Sequence, residues 1–105
     1  MNAVSEPIAA PKLAPGNTLR KRVTVKGRLG LHARPAALLI RALRPFRCQV
    51  VVQGAGESAN AKSILGLLSL GAGCGAELTF MAAGPDALQA LRAIERLFQN
   101  DLDQQ

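Results

Sequence analysis

The sequence predicts a two-layer α+β fold, a four-stranded antiparallel sheet covered on one face by three helices, in the order βαββαβα. Three observations carry this. Stretches with a two-residue apolar period alternate with stretches of helical period. Glycine-rich turns separate them, and hairpin-type connections place neighbouring strands antiparallel. The 105 residues, 49% of them apolar, suffice for one core and leave little for a second.

Residues 1–17, with Pro7, Pro11 and Pro15 among alanines and small polar residues, show no periodicity. They are expected to form a disordered N-terminal tail, leaving 18–105 as the domain. Thr18 to Lys26 alternates around Leu19, Val23 and Val25 and reads as the first strand, although Lys21 falls in the apolar phase. Gly27 to Gly30 makes a turn. From Ala33 to Leu43 the spacing is helical: Ala36, Leu39, Ile40 and Leu43 share one face, while Arg34, Ala37, Arg41 and Arg44 line another. Pro35 fits only in a first turn, so the helix starts at or just after His32.

Arg47 to Gln53 reads as the second strand, with Cys48, Val50 and Val52 on one side. Gly54-Ala55-Gly56 turns it into a third strand, Glu57 to Ala61, as a hairpin. Ser63 then precedes Ile64, Leu65, Leu67, Leu68 and Leu70, a helix too short and too apolar to be free. Part of it must be buried and part should dock onto something. Ala76 to Ala82 is the fourth strand, Leu78 and Phe80 facing one way and Glu77, Thr79 and Met81 the other. Gly84-Pro85-Asp86 opens the last helix with Pro and an acid in its first turn, and Ala87, Leu91, Ile94 and Phe98 form its buried stripe.

Thirteen Lys/Arg against seven Asp/Glu give a formal charge of +6, which suits an acidic partner of some kind. The field is regional: nine of the thirteen cations lie between residues 18 and 47, and no acid occurs between Glu6 and Glu57. A basic nucleic-acid-binding module would explain the charge. However, the only aromatic residues are Phe46, Phe80 and Phe98, which leaves almost no platform for stacking bases. Two distant cysteines, Cys48 and Cys74, and one histidine make neither a disulfide scaffold nor a metal site, so no metal or cofactor is expected. No apolar run approaches a membrane span and no secretory leader is visible, so a cytoplasmic protein is expected.

The chemistry concentrates at His32, in the run GLHARPAA. A helix start presents unpaired backbone N–H groups and a positive dipole end, which attract a dianionic phosphate. An imidazole there has a nitrogen nucleophile beside an anion site, and Arg34 can hold phosphoryl oxygens. The constellation suits a reversible phosphohistidine; its ordinary alternative is a plain cap or surface histidine. Arg41 and Arg44 have an ordinary alternative too, a solvated helix face.

Gly30-Leu31-His32-Ala33-Arg34-Pro35-Ala36, followed about thirty residues later by Asn60-Ala61-Lys62-Ser63-Ile64-Leu65-Gly66-Leu67-Leu68-Ser69-Leu70-Gly71, resembles the HPr family. These are the histidine-containing phosphocarriers of the bacterial phosphoenolpyruvate-dependent sugar phosphotransferase system. The resemblance runs from Thr18 to about Asn100, and βαββαβα is that family's open-faced sandwich. It implies that His32 takes a phosphoryl group on Nδ1 from enzyme I and passes it to an enzyme IIA domain. Ala33 and Arg34 at the helix start then steady the phosphate. It also implies that Ser63, otherwise an N-cap hydroxyl, is a regulatory site for an HPr kinase/phosphorylase. Ile64, Leu65 and Leu68 correspond to the family's docking patch, with Arg41 and Arg44 as docking charges. A monomer is expected, and a paralogous carrier of a nitrogen-related or regulatory branch shares the same fold and histidine.

Overall fold

Strand alternation sorts the sheet into two unlike faces. The computed structural model describes residues 18–100; the expected tail, 1–17, and residues 101–105 lie outside the described residues. Seven elements follow in the expected order: β1 (Thr18–Thr24), α1 (Ala33–Leu43), β2 (Gln49–Gly54), β3 (Glu57–Asn60), α2 (Ile64–Ser69), β4 (Glu77–Ala83) and α3 (Ala87–Gln99). The strands form one antiparallel sheet in the order β1-β4-β2-β3, so the first and last strands of the chain are neighbours. Three helices on such a sheet make the α+β open-faced sandwich.

The covered face carries Val23, Leu78, Phe80, Ala82, Val50, Val52 and Ala59, stacked in register as Val23 beside Leu78 and Phe80 beside Val52. Against it pack Ala36, Leu39 and Leu43 of α1, Leu67 of α2, and Leu91, Ile94 and Phe98 of α3, all buried. The helical spacing that predicts α1 and α3 thus delivers their apolar stripes to one core. Each fully buried leucine contributes about 1.5–3 kcal/mol by area. Phe80 and Phe98 meet tilted, with ring centroids 5.9 Å apart. Lys21 also points to the covered face, where its ammonium meets Glu95 of α3 at 2.8 Å. A helix carboxylate seventy-four residues on therefore accommodates the one cation in the apolar phase of β1.

The uncovered face has an apolar centre. Met81 lies on the side of Glu77 and Thr79, as its alternation requires, yet it is buried, as is Val51 directly across from it. Both sit on the two central strands. Arg20 of β1 stands opposite Met81 and Asn60 of β3 opposite Val51, so polar side chains border this pair on both flanks. Polar neighbours can shield an apolar centre without a second layer.

Strand ends shift by one or two residues for identifiable reasons. β2 begins at Gln49 rather than Arg47 because the amides of Arg47 and Cys48 donate to the Asp86 carboxylate, at 2.8 and 2.9 Å, instead of to a ladder. Asp86 is correspondingly not an acid within the first turn of α3. It occupies the N-cap, makes no capping bond to its own helix, and ties that helix to β2. The backbone N–H of Arg47 holds the Asp86 carboxyl below its ordinary value, with Cys48 adding to the effect. Burial pushes the Cys48 thiol up, and Asp86 beside it pushes further. β2 and β3 close over Ala55 and Gly56, with φ +53° and +81°, the two positive angles a type I′ hairpin turn needs.

Candidate functional site

His32 is the N-cap of α1, in extended backbone (φ −93°, ψ −167°), with its ring half-buried and making no capping hydrogen bond. The first intrahelical bond runs from the Ala36 N–H to the His32 carbonyl, at 3.0 Å. The amides of Ala33 and Arg34 precede that bond, so they have no acceptor within the helix, and Pro35 has no N–H. Two amides and the positive end of an eleven-residue helix therefore sit beside an uncommitted imidazole. No acidic side chain in the first turn occupies them.

The histidine is held from both sides. Leu31 before it and Pro35 after it are buried. The Leu31 N–H donates to the Ala72 carbonyl at 2.8 Å, fastening the loop to the segment that follows α2. Gly30, at φ +72°, lies so close to that segment that a Cβ on it would stand 2.4 Å from the Ala72 oxygen. Only glycine fits both the angle and the space. The Gly30 N–H also donates to the Gly27 carbonyl at 3.0 Å, closing a turn with Arg28 and Leu29 at its corners.

Among the described residues the ion pairs are Lys21 with Glu95 and a long Arg22 with Glu77, at 4.0 Å; Arg34, Arg41 and Arg44 belong to neither. With Ala37 these three arginines form the exposed stripe of α1. Arg34 lies in the first turn near His32. Arg41 and Arg44 stand about 14 and 18 Å beyond His32 along the helix axis at 1.5 Å per residue, so they flank the site rather than enter it.

Ser63 caps α2: its Oγ accepts from the Gly66 N–H at 3.1 Å. Lys62 beside it donates its ammonium to the Phe46 carbonyl at 2.6 Å, joining this turn to the chain leaving α1. Gly66 and Leu67 are buried, as Gly66 must be with Asn60 and Ala59 against it. Ile64, Leu65 and Leu68 remain exposed, at 41, 65 and 38%. α2 packs along α1, so this apolar strip and the arginine stripe belong to the same helical layer.

Sequence reasoning did not single out Leu29, Asp86 as a cross-tie, or the Lys62 bond. For Leu29 a signal existed, namely an apolar residue in a turn between two glycines, where polar residues are usual. Asp86 and Lys62 act on partners 38 and 16 residues away, beyond any local pattern. Among the described residues no group of three or more His, Cys, Asp or Glu could hold a metal, and no helix is long and apolar enough to cross a membrane.

The family model "PTS HPr component phosphorylation site" matches residues 19–100. The phosphocarrier protein HPr of Treponema pallidum is 46% identical over 85 residues, spanning 81% of this chain and 97% of that protein. The HPr-like protein Crh of Bacillus subtilis is 37% identical over 84 residues, 80% of this chain and 99% of the relative. A crystal structure of HPr-C-His from Thermoanaerobacter tengcongensis superposes with a TM-score of 0.77 at 34% identity, covering 81% of this chain and 96% of that one. Sequence, topology and the histidine-headed helix agree, and the chain belongs to the HPr family of phosphocarrier proteins.

Proposed function

We propose that this protein carries a phosphoryl group on His32 within the phosphoenolpyruvate-dependent sugar phosphotransferase system of the cytoplasm. The observation that carries the reading is the uncommitted His32 ring beside two amides without helical acceptors, with Arg34 in the same first turn. In transfer, the P–N bond to the donor histidine of enzyme I breaks as a new bond forms to Nδ1 of His32; the reverse arrangement passes the group to an enzyme IIA domain. Such a transition state is loose and needs chiefly in-line positioning and neutralised oxygens. The Ala33 and Arg34 amides and the Arg34 guanidinium supply these without a metal or cofactor on this chain. The protein is then a phosphoryl carrier rather than a turnover enzyme.

Ile64, Leu65 and Leu68 form the apolar centre of the docking surface, and Arg41 and Arg44 its steering charges. Ser63 is the second, regulatory site, modified by an HPr kinase/phosphorylase. A phosphate on a capping serine favours the helix start but places about two negative charges beside the apolar strip, which weakens docking of enzyme I. A second reading, a carrier in a nitrogen-related or regulatory branch, draws on the similarity to Crh proteins and is separated by partner identity.

The test is incubation with phosphoenolpyruvate and enzyme I, followed by intact mass. One acid-labile phosphate is expected, and none in His32→Ala; an acid-stable adduct, or none in the wild type, refutes the carrier role. With ATP and HPr kinase, an acid-stable phosphate is expected that Ser63→Ala lacks.

A further inference from the structure

Leu29 is the most exposed large apolar side chain among the described residues, at 78%, ahead of Leu65 on the docking strip. It packs against no part of the core. Its backbone is nonetheless fixed. The turn is closed by the Gly30-to-Gly27 bond and fastened through Leu31 to Ala72, and Gly30 is wedged against the backbone of Ala72 and Gly73. An apolar side chain is thus held rigidly in water, three residues before His32, where it contributes nothing to folding.

What covers it follows from the transfer itself. A protein-borne phosphoryl group must come within about 3–3.5 Å of the His32 ring, so the donor protein's surface closes over the site. An interface of about 1,000 Å² in total, small for a biological one, covers about 500 Å² on each side, a disc of roughly 13 Å radius. Leu29 and His32 are three residues apart, which limits their Cα separation to about 11 Å. Leu29 therefore falls inside the donor's footprint. Arg28, exposed at the other corner of the turn and outside both ion pairs, adds a cation beside it.

We propose that Leu29 is a docking residue for the phosphoryl donor, entering an apolar socket with an acidic rim that receives Arg28. The inference rests on the carrier reading and adds a second apolar anchor, on the β1–α1 turn, to the strip on α2. Anchors of this kind are few, and each carries a large share of a small interface.

The experiment is steady-state phosphorylation by enzyme I of the full chain and of Leu29→Ala, Leu29→Met and Leu88→Ala. Leu88 is 48% exposed and lies near Thr18, at the end of β1 remote from the Gly27 turn. Leu29→Ala raises KM for this carrier about tenfold with kcat unchanged, Leu29→Met restores it to within about twofold, and Leu88→Ala leaves it alone. Thermal midpoints of all four proteins stay together, because neither leucine is part of the core. A Leu29→Ala KM within about twofold of wild type, in a protein that is phosphorylated normally, overturns the docking role alone. An equal rise in Leu88→Ala overturns it as well. A wild type that takes no phosphate removes the carrier reading and this inference with it.

Discussion

The heads of α1 and α3 are built from similar parts and used in opposite ways. Each begins at a titratable N-cap residue, His32 or Asp86, whose side chain makes no bond to its own helix. Asp86 spends both carboxylate oxygens on the amides of Arg47 and Cys48 and so joins α3 to β2. His32 is positioned with equal care, between buried Leu31 and buried Pro35, but its ring is tied to nothing in the helix it heads. A helix terminus that serves the fold is saturated by the fold. The one proposed to serve a ligand is pre-positioned and left open.

The sharpest break of that comparison is a double dissociation. His32→Ala is expected to abolish acid-labile phosphorylation while changing stability by less than about 0.5 kcal/mol, since no bond of the fold depends on the ring. Asp86→Ala is expected to keep phosphorylation and lower the thermal midpoint. The pH dependence has a definite sign. Because the native Asp86 value is depressed, its contribution is complete above the unfolded value of about 3.9 and is lost as pH falls through the native value. The midpoints of wild type and Asp86→Ala should accordingly converge below about pH 4, and a constant gap down to pH 2 contradicts the cross-tie.

Gly30→Ala comes next, because it disturbs the open head without touching it. Its Cβ would collide with the Ala72 carbonyl and its φ is unfavourable, so the loop must move. A displacement of about 1 Å at His32 costs on the order of a hundredfold in transfer rate. A variant that transfers at wild-type rate would show that the loop needs no fixed geometry. Arg41→Glu with Arg44→Glu should slow phosphorylation by enzyme I about tenfold at low ionic strength and flatten its salt dependence, as charges acting at a distance do. The smallest effect belongs to the third helix head: Ser63→Ala loses one cap bond and about 1 kcal/mol, measurable by urea unfolding.

Much of this architecture was legible locally. Helix α1 matched its expected bounds because apolar period and Pro35 speak about neighbours, and Ser63 capped α2 as its position implied. What stayed hidden was decided at a distance. Nothing in Arg47 to Gln53 says that its first amides belong to Asp86, and nothing near Lys21 says that Glu95 awaits it. Met81 lies on the face that its alternation gives it, yet its burial, with that of Val51 across from it, is not legible, because alternation reports direction and not how neighbours cover a side chain. At the proposed site, the motif implied a histidine at a helix head, and His32 does cap α1. Leu29, three residues earlier, was passed over as part of a turn.

The strand order has a consequence for how the chain is made. Among the described residues β1 pairs with β4 alone, Thr18 lying against Ala83, so this strand waits for one made sixty-five residues later. Sixty-five residues at about 5–20 per second amount to roughly 3–13 seconds with an edge and an apolar face unmatched. Arg20, Lys21 and Arg22, which have no evident part in phosphotransfer, sit in the middle of that strand. Three adjacent positive charges disfavour pairing of such a segment with its like while it waits.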